Sequence, residues 1–284
     1  MKWIEELRIS LYSDGADLRS ILEMYAKPWI RGFTTNPTLM RHAGVHDYEA
    51  FARALLLAVP DRPISFEVFA DEEDEMEQQA LAIATWGPNV NVKIPVTNRA
   101  GTFMGALIRR LGEAGVALNV TAILSLDQVR RVAEALAPNA AAIVSVFAGR
   151  IADTGVDPAP VMAEAKRILR DRPRAQLLWA SPRELLNIFQ ANEAGCDIIT
   201  VAPEILGKLS LVGKDLAAYS LETVEMFYRD ACAAAYRIDT APLAAARLDA
   251  ATALLGEEDL HGLSKIPRGV VGPGPGVLAG RQRA

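Results

Sequence analysis

One lysine sits among branched aliphatic residues in the stretch Asn91-Val92-Lys93-Ile94-Pro95-Val96-Thr97. Read as a strand, this stretch places Val90, Val92 and Ile94 on one face and Asn91 and Lys93 on the other, because side chains alternate. An amine held away from water is costly to keep charged, and desolvation lowers its pKa. The neutral amine is a nucleophile whose natural target is a carbonyl carbon, and the product is a Schiff base. A solvated lysine on an edge strand fits this stretch equally well. The neighbouring strands decide between the two.

Strand and helix patterns alternate along most of the chain. Strands are expected at Arg8 to Ser13, Arg31 to Pro37, Ile64 to Phe69, Asn91 to Thr97, Val116 to Thr121, Ala141 to Phe147, Gln176 to Ala180 and Asp197 to Ala202. Between them, helical patterns run over Leu18 to Tyr25 behind an Asp17 cap, Tyr48 to Val59, an acidic start at Asp71 to Glu77, Gly101 to Gly112, and Ser125 to Leu136 capped by Ser125. A loop is expected at Ala148 to Pro158, then a helix ending near Leu169, another over Pro182 to Ala194 stopped by Gly195, and helical pattern from about Pro203 to Arg237. Eight strand–helix units at short spacing predict an α/β fold, a single closed (β/α)8 barrel. An open doubly wound sheet is the runner-up, weakened by the lack of a glycine-rich fingerprint after the first strand. Residues 1–238 would form the barrel with a C-terminal helix. Residues 239–284 would form an extension, helical over Pro242 to Leu255 and ending in a flexible tail, since nine of the last 23 residues are Gly or Pro.

In a barrel, strand side chains alternate between the interior and the helix layer. The aliphatic faces Ile64/Phe66/Val68, Val116/Leu118/Val120 and Val144/Val146 suit the helix layer. That turns Glu67, Lys93, Asn119, Thr121, Ser145 and Phe147 inward near the strands' C-terminal ends, where barrel active sites form. Asp14 ends the first strand and Asn36 the second. A satisfied polar layer with no task would use the same residue types, but two carboxylates and an amine seldom gather in a dry interior without one. Arg150 and Arg183 each follow a strand by three residues, on neighbouring strands, and the two guanidiniums together suit a phosphate. Surface salt bridges are the alternative for either arginine.

Composition narrows the field. The chain is 51% hydrophobic and 23% charged with net charge −5, an ordinary globular balance that leaves no electrostatic footprint for nucleic acid or anionic membrane. No apolar run is long enough to cross a bilayer, and the N-terminus carries no signal-peptide pattern. With only two cysteines, Cys196 and Cys232, no disulfide framework is expected, and a cytoplasmic location is. His42 and His46 have i,i+4 spacing, but no further ligand completes a metal site. Neither a metal nor an organic cofactor is expected.

Seven ordered motifs resemble the transaldolase family of the class I, Schiff-base aldolase superfamily: Ser13-Asp14-Gly15-Ala16-Asp17, Thr34-Thr35-Asn36-Pro37-Thr38-Leu39, Val92-Lys93-Ile94-Pro95, Asn119-Val120-Thr121, Ser145-Val146-Phe147-Ala148-Gly149-Arg150, Ala180-Ser181-Pro182-Arg183 and Ala194-Gly195-Cys196-Asp197-Ile198-Ile199-Thr200. The resemblance spans roughly residues 8–237. It implies Lys93 as Schiff-base nucleophile and Asp14 as the acid/base group in carbon–carbon cleavage. It implies that Glu67 and Thr121 hold a proton-shuttling water, that Asn36, Asn119 and Ser145 bind substrate hydroxyls or the adduct, and that Arg150 and Arg183 clamp a sugar phosphate, with Phe147 lining the site. It further implies sugar-phosphate substrates, a homo-oligomer, and a place in pentose phosphate or related sugar metabolism. Short fructose-6-phosphate aldolases in the same family usually carry Gln in place of Glu67 and Tyr in place of Phe147, so both positions here resemble the transferase. A simple aldolase, or a non-catalytic sugar-phosphate-binding barrel, are the alternatives. Departures from the pattern lie at Gly15, Val146 and Pro182, and in the glycine-proline tail.

Overall fold

The computed structural model describes residues 2–240 and, beyond them, positions 246 and 249. The proposed extension at 239–284, with its helix at Pro242 to Leu255 and its glycine-proline tail, lies almost wholly outside the described residues. The chain divides into two compact units, Met1–Gly213 and Lys214–Ala284.

The first unit is a closed barrel of eight parallel strands in chain order, with the eighth strand hydrogen-bonded back to the first. A short helix α1 (Lys2–Glu5) precedes β1 (Ser10–Asp14), and α2 (Leu18–Tyr25) leads to β2 (Ile30–Thr34). Two helices, α3 (Pro37–His42) and α4 (Tyr48–Ala58), separate β2 from β3 (Ile64–Glu67). Next come α5 (Glu73–Ala84), β4 (Val90–Pro95), α6 (Gly105–Glu113), β5 (Leu118–Ile123), α7 (Leu126–Ala135) and β6 (Ala142–Val146). After α8 (Ala148–Asp153) and α9 (Pro158–Ile168) follow β7 (Ala175–Trp179), α10 (Leu186–Glu193), β8 (Ile198–Val201) and α11 (Pro203–Leu206).

The alternation expected from the sequence sorts the side chains. Val92, Ile94, Leu118, Val120, Val144 and Val146 are buried in the layer between barrel and helices. A second, smaller cluster of Tyr12, Ile143, Leu178, Ala180 and Ile198 fills the barrel's interior, with Phe147 packed against it. Gly32 makes room for the Tyr12 ring, because a Cβ there would meet ring atoms at 2.5 Å. The barrel interior is therefore a packed core rather than a pore.

Helix starts follow side-chain capping. Asp17, Asn36, Asp47 and Asp157 each accept a backbone N–H of the turn they open. Ser125 forms a reciprocal capping box with Gln128, which satisfies two otherwise unpaired donors.

Several expectations need correction. Pro37 does not merely end β2. It occupies the first turn of α3 behind the Asn36 cap, where a missing N–H costs nothing. The loop expected at Ala148 to Pro158 contains α8. His46 lies beyond the end of α3, so His42 and His46 do not share a helix face. Helix is not continuous from Pro203: α11 passes into a 3-10 turn at Gly207–Leu211. Gly213 adopts a positive φ of 76°, a conformation glycine takes without strain. In the second unit, α12 (Leu216–Ala233) begins behind an Asp215 cap. No helix among the described residues is long and apolar enough to cross a membrane.

Candidate active site

At the C-terminal ends of the strands a cavity of about 500 Å³ opens into the barrel. Its wall includes Asp14, Asn36, Glu67, Lys93, Asn119, Thr121, Ser145, Phe147 and Arg150. Nine of the ten residues singled out from the sequence therefore come together. The tenth, Arg183, is not part of the wall. Its guanidinium bonds both carboxylate oxygens of Asp153 outside the cavity, in a pair that is about half exposed on each side. The salt-bridge alternative describes Arg183 in this state. Arg150 does reach the cavity, its guanidinium carbon 5.0 Å from the centre of the Phe147 ring.

Lys93 points into the barrel and is buried. Expected to stand alone among aliphatics, its amine instead has two partners. Nζ donates to Glu67 Oε1 at 2.5 Å and to the Thr35 carbonyl oxygen at 2.6 Å. The register explains the first contact, since Glu67 and Lys93 are directly paired residues of β3 and β4. Thr35 closes the group from the other side, its hydroxyl donating to Glu67 Oε2 at 3.0 Å and to the Ser65 carbonyl at 2.9 Å. Burial pushes the Glu67 carboxyl above its ordinary range, against the lowering influence of Lys93 and Thr35. A raised carboxyl pKa makes Glu67 a stronger base, placed to take a proton from the ammonium. The direct contacts of Glu67 are thus Lys93 and Thr35. Thr121 lines the cavity one step further along its strand, where its carbonyl accepts the Val96 N–H at 2.9 Å.

Asp14 closes the site from β1. Burial raises its carboxyl above the usual range, while Lys93 and a hydrogen bond from Thr34 pull it down. Asn119 and Ser145 form a buried relay across β5 and β6, in which Ser145 Oγ donates to Asn119 Oδ1 at 2.6 Å and Asn119 Nδ2 donates to Ser65 Oγ at 3.0 Å. Asn36 Oδ1 accepts the Leu39 N–H at 2.9 Å. Its side-chain oxygen is thus engaged in capping α3, while the residue lines the cavity.

Two strained residues shape the rim. Ala122 and Ser181 have φ of 62° and 58°, both in the cavity wall. Ala122 lies where the β5–β6 register shifts between Val120 and Ile123, as at a bulge that re-aims neighbouring side chains. Ser181 sits against Gly149, where any Cβ would run into the Ser181 carbonyl oxygen. Glycine at 149 lets the loop after β7 close onto α8, bringing Ser181 and Arg150 to one cavity.

This arrangement, an inward amine paired with one carboxylate and facing another across a polar mouth, can be compared with known proteins. A family model described as transaldolase/fructose-6-phosphate aldolase matches residues 11–254. The chain belongs to this family. Among its relatives, a probable transaldolase of Dehalococcoides mccartyi is 34% identical over 197 residues, covering 69% of this chain and 88% of that protein. A probable transaldolase of Roseiflexus is 34% identical over 199 residues, covering 70% and 88%. One from Methanococcus maripaludis is 31% identical over 202 residues, covering 71% and 89%. Among solved structures, dihydrodipicolinate synthase from Rhodopseudomonas palustris superposes with a TM-score of 0.50 at 13% identity, over 76% of this chain and 79% of that one. That likeness speaks to the barrel alone.

Sequence reasoning assigned no role to several residues that hold the site. Thr34 and Thr35 were visible only as part of a motif. Thr200 was reachable by alternation, since it shares the inward face of β8 with Ile198. Tyr48 was not, because its hydroxyl reaches from the start of α4 to accept the Glu67 N–H at 2.7 Å, a contact between elements with no signature in the chain.

Proposed function

We propose that this member of the family is a transaldolase, moving a dihydroxyacetone unit from a ketose phosphate to an aldose phosphate through a Schiff base on Lys93, in pentose phosphate or related sugar metabolism in the cytoplasm. The observation that carries the reading is the Lys93–Glu67 contact at 2.5 Å inside a mouth that Asp14 also lines. Glu67 accepts a proton from Lys93, and the neutral amine adds to the C2 carbonyl of the ketose. Loss of water gives the iminium, an electron sink. Asp14 takes the proton of the C4 hydroxyl, the C3–C4 bond breaks, and its electron pair moves into the iminium to form an enamine. The C4 fragment leaves as an aldose phosphate. The enamine carbon then attacks the acceptor's aldehyde, Asp14 returns its proton to the new hydroxyl, and water hydrolyses the imine to free Lys93. Acid–base help of this kind contributes roughly 10²–10⁴-fold. Arg150 and Ser181, both in the cavity wall, suit the phosphate end of either sugar.

A simple aldolase would share every step up to the enamine and then protonate it. The two are separated by incubating fructose 6-phosphate with and without a four-carbon aldose phosphate. Transfer gives a longer ketose phosphate only when the acceptor is present, whereas free dihydroxyacetone released at the same rate with or without acceptor would contradict the transferase assignment.

A further inference from the structure

Beside Asp14 lie two hydroxyls that the chemistry above leaves unused. Thr34 Oγ1, on β2, donates to Asp14 Oδ1 at 2.8 Å, and Thr200 Oγ1, on β8, lies 2.5 Å from Thr34 Oγ1. Both threonines are buried. A hydroxyl has one hydrogen to give. With the hydrogen of Thr34 committed to the carboxylate, the one between the two threonines comes from Thr200. The chain of donors therefore runs from Thr200 to Thr34 to Asp14, and every donor in it faces the negative charge. Protonating Asp14 reverses the order: its O–H donates to Thr34, and Thr34 donates to Thr200. The direction of both hydroxyls is thus tied to the charge on Asp14.

The topology makes the arrangement possible. β1 lies between β2 and β8. Thr34 is the register partner of Asp14, and Thr200 that of Tyr12, one inward step below. Thr34 and Thr200 meet inside the barrel in front of β1. The charges facing Asp14 come from elsewhere: Lys93 on β4 favours the carboxylate, and Glu67 on β3 and burial oppose it. Tyr12, below it on its own strand, is buried with its phenol pushed up to about 12 and stays neutral. From β5 and β6 the mouth receives only the neutral groups of Asn119, Thr121 and Ser145, and Arg150 stands in the wall on α8.

We propose that Thr200 is a positioning residue that acts through Thr34 to fix the orientation of Asp14 and favour its ionised form, the form that accepts the C4 hydroxyl proton. This role rests on the assignment of Asp14 as the acid/base group.

The test is a carbon-13 NMR titration of aspartate side-chain carboxyls in the full chain, with Asp14 assigned by its absence in Asp14→Asn. In Thr200→Val the Asp14 midpoint is expected to move to higher pH by about half a unit or more, and Thr200→Ser to restore it. Thr200→Ala removes the same hydroxyl without adding bulk and gives the same shift should the valine variant not fold. In parallel, borohydride trapping of the Lys93 adduct is expected to stay within about twofold while kcat falls about 5–10-fold, its acid limb moving with the NMR midpoint. An unmoved Asp14 midpoint in a folded variant, or a serine variant that fails to restore it, would overturn the assignment, as would trapping that falls in step with kcat. If the wild type forms no Lys93 adduct but the midpoint still moves, the link from Thr200 to Asp14 stands and the Schiff-base reading fails.

Discussion

The Lys93 amine is held by neighbours rather than isolated, with Nζ bonded to Glu67 Oε1 and to the Thr35 carbonyl oxygen. The sequence places the lysine among Val92, Ile94 and Val96, and desolvation alone is the natural first explanation for a reactive amine. Glu67 was visible as an inward residue of the preceding strand, yet its direct contact with Nζ depends on register, which alternation does not provide. Asp14 carries the opposite lesson, since its burial gives a stability prediction. A carboxyl whose folded pKa exceeds its unfolded value, about 3.9, binds more protons when folded. Its favourable contribution is complete below that unfolded value and is lost as pH rises through the folded one. At neutral pH the ionised group therefore opposes folding. Asp14→Asn is expected to raise Tm by roughly 2–4 °C at pH 7, with the difference vanishing near pH 4, measured by scanning calorimetry. The arginines separate as well. Arg150→Ala is expected to raise KM for a phosphorylated donor by about 10-fold or more. Arg183→Ala is expected to raise it less, because that guanidinium is held by Asp153 outside the cavity. Steady-state kinetics on the two variants checks the order.

The elements that carry these residues were legible wherever period and caps agreed. All eight strands lie where alternation put them, within a few residues, and Ser125 caps α7 as its position before an amphipathic run predicts. Ser125→Ala is expected to cost about 1 kcal/mol in urea unfolding. What the sequence hid are elements shorter than a clear helical period. α3 and α8 have six residues each, too few for an apolar stripe to repeat. Yet they supply Asn36 as a cap and Arg150 as a wall residue. The bulge after Thr121 was hidden for a similar reason, because nothing in Thr121-Ala122-Ile123 announces a left-handed alanine. Gly149 shows how tightly one such element is docked. Gly149→Ala would push α8 off the Ser181 carbonyl, and is expected to destabilise the chain by about 1–3 kcal/mol while weakening sugar-phosphate binding through Arg150. Urea unfolding and KM read the two effects separately.

For the molecule as a whole, the eightfold alternation was enough to specify a closed barrel, because parallel strands joined by helices close only in a few ways. The barrel then dictates where polar residues at strand ends must meet, which is why nine residues on or just after β1 to β6 line one cavity. The division at Gly213 was less legible, since apolar residues continue on both sides of it. The central claim is that Lys93 forms a covalent imine with a ketose phosphate in this mouth. Its most direct test is incubation of the full chain with fructose 6-phosphate and borohydride, followed by intact mass and peptide mapping. A stable mass increase carried by the Lys93 peptide, and absent from Lys93→Ala, is the predicted result. A wild-type protein that gains no mass, or gains it at another lysine, would contradict the account.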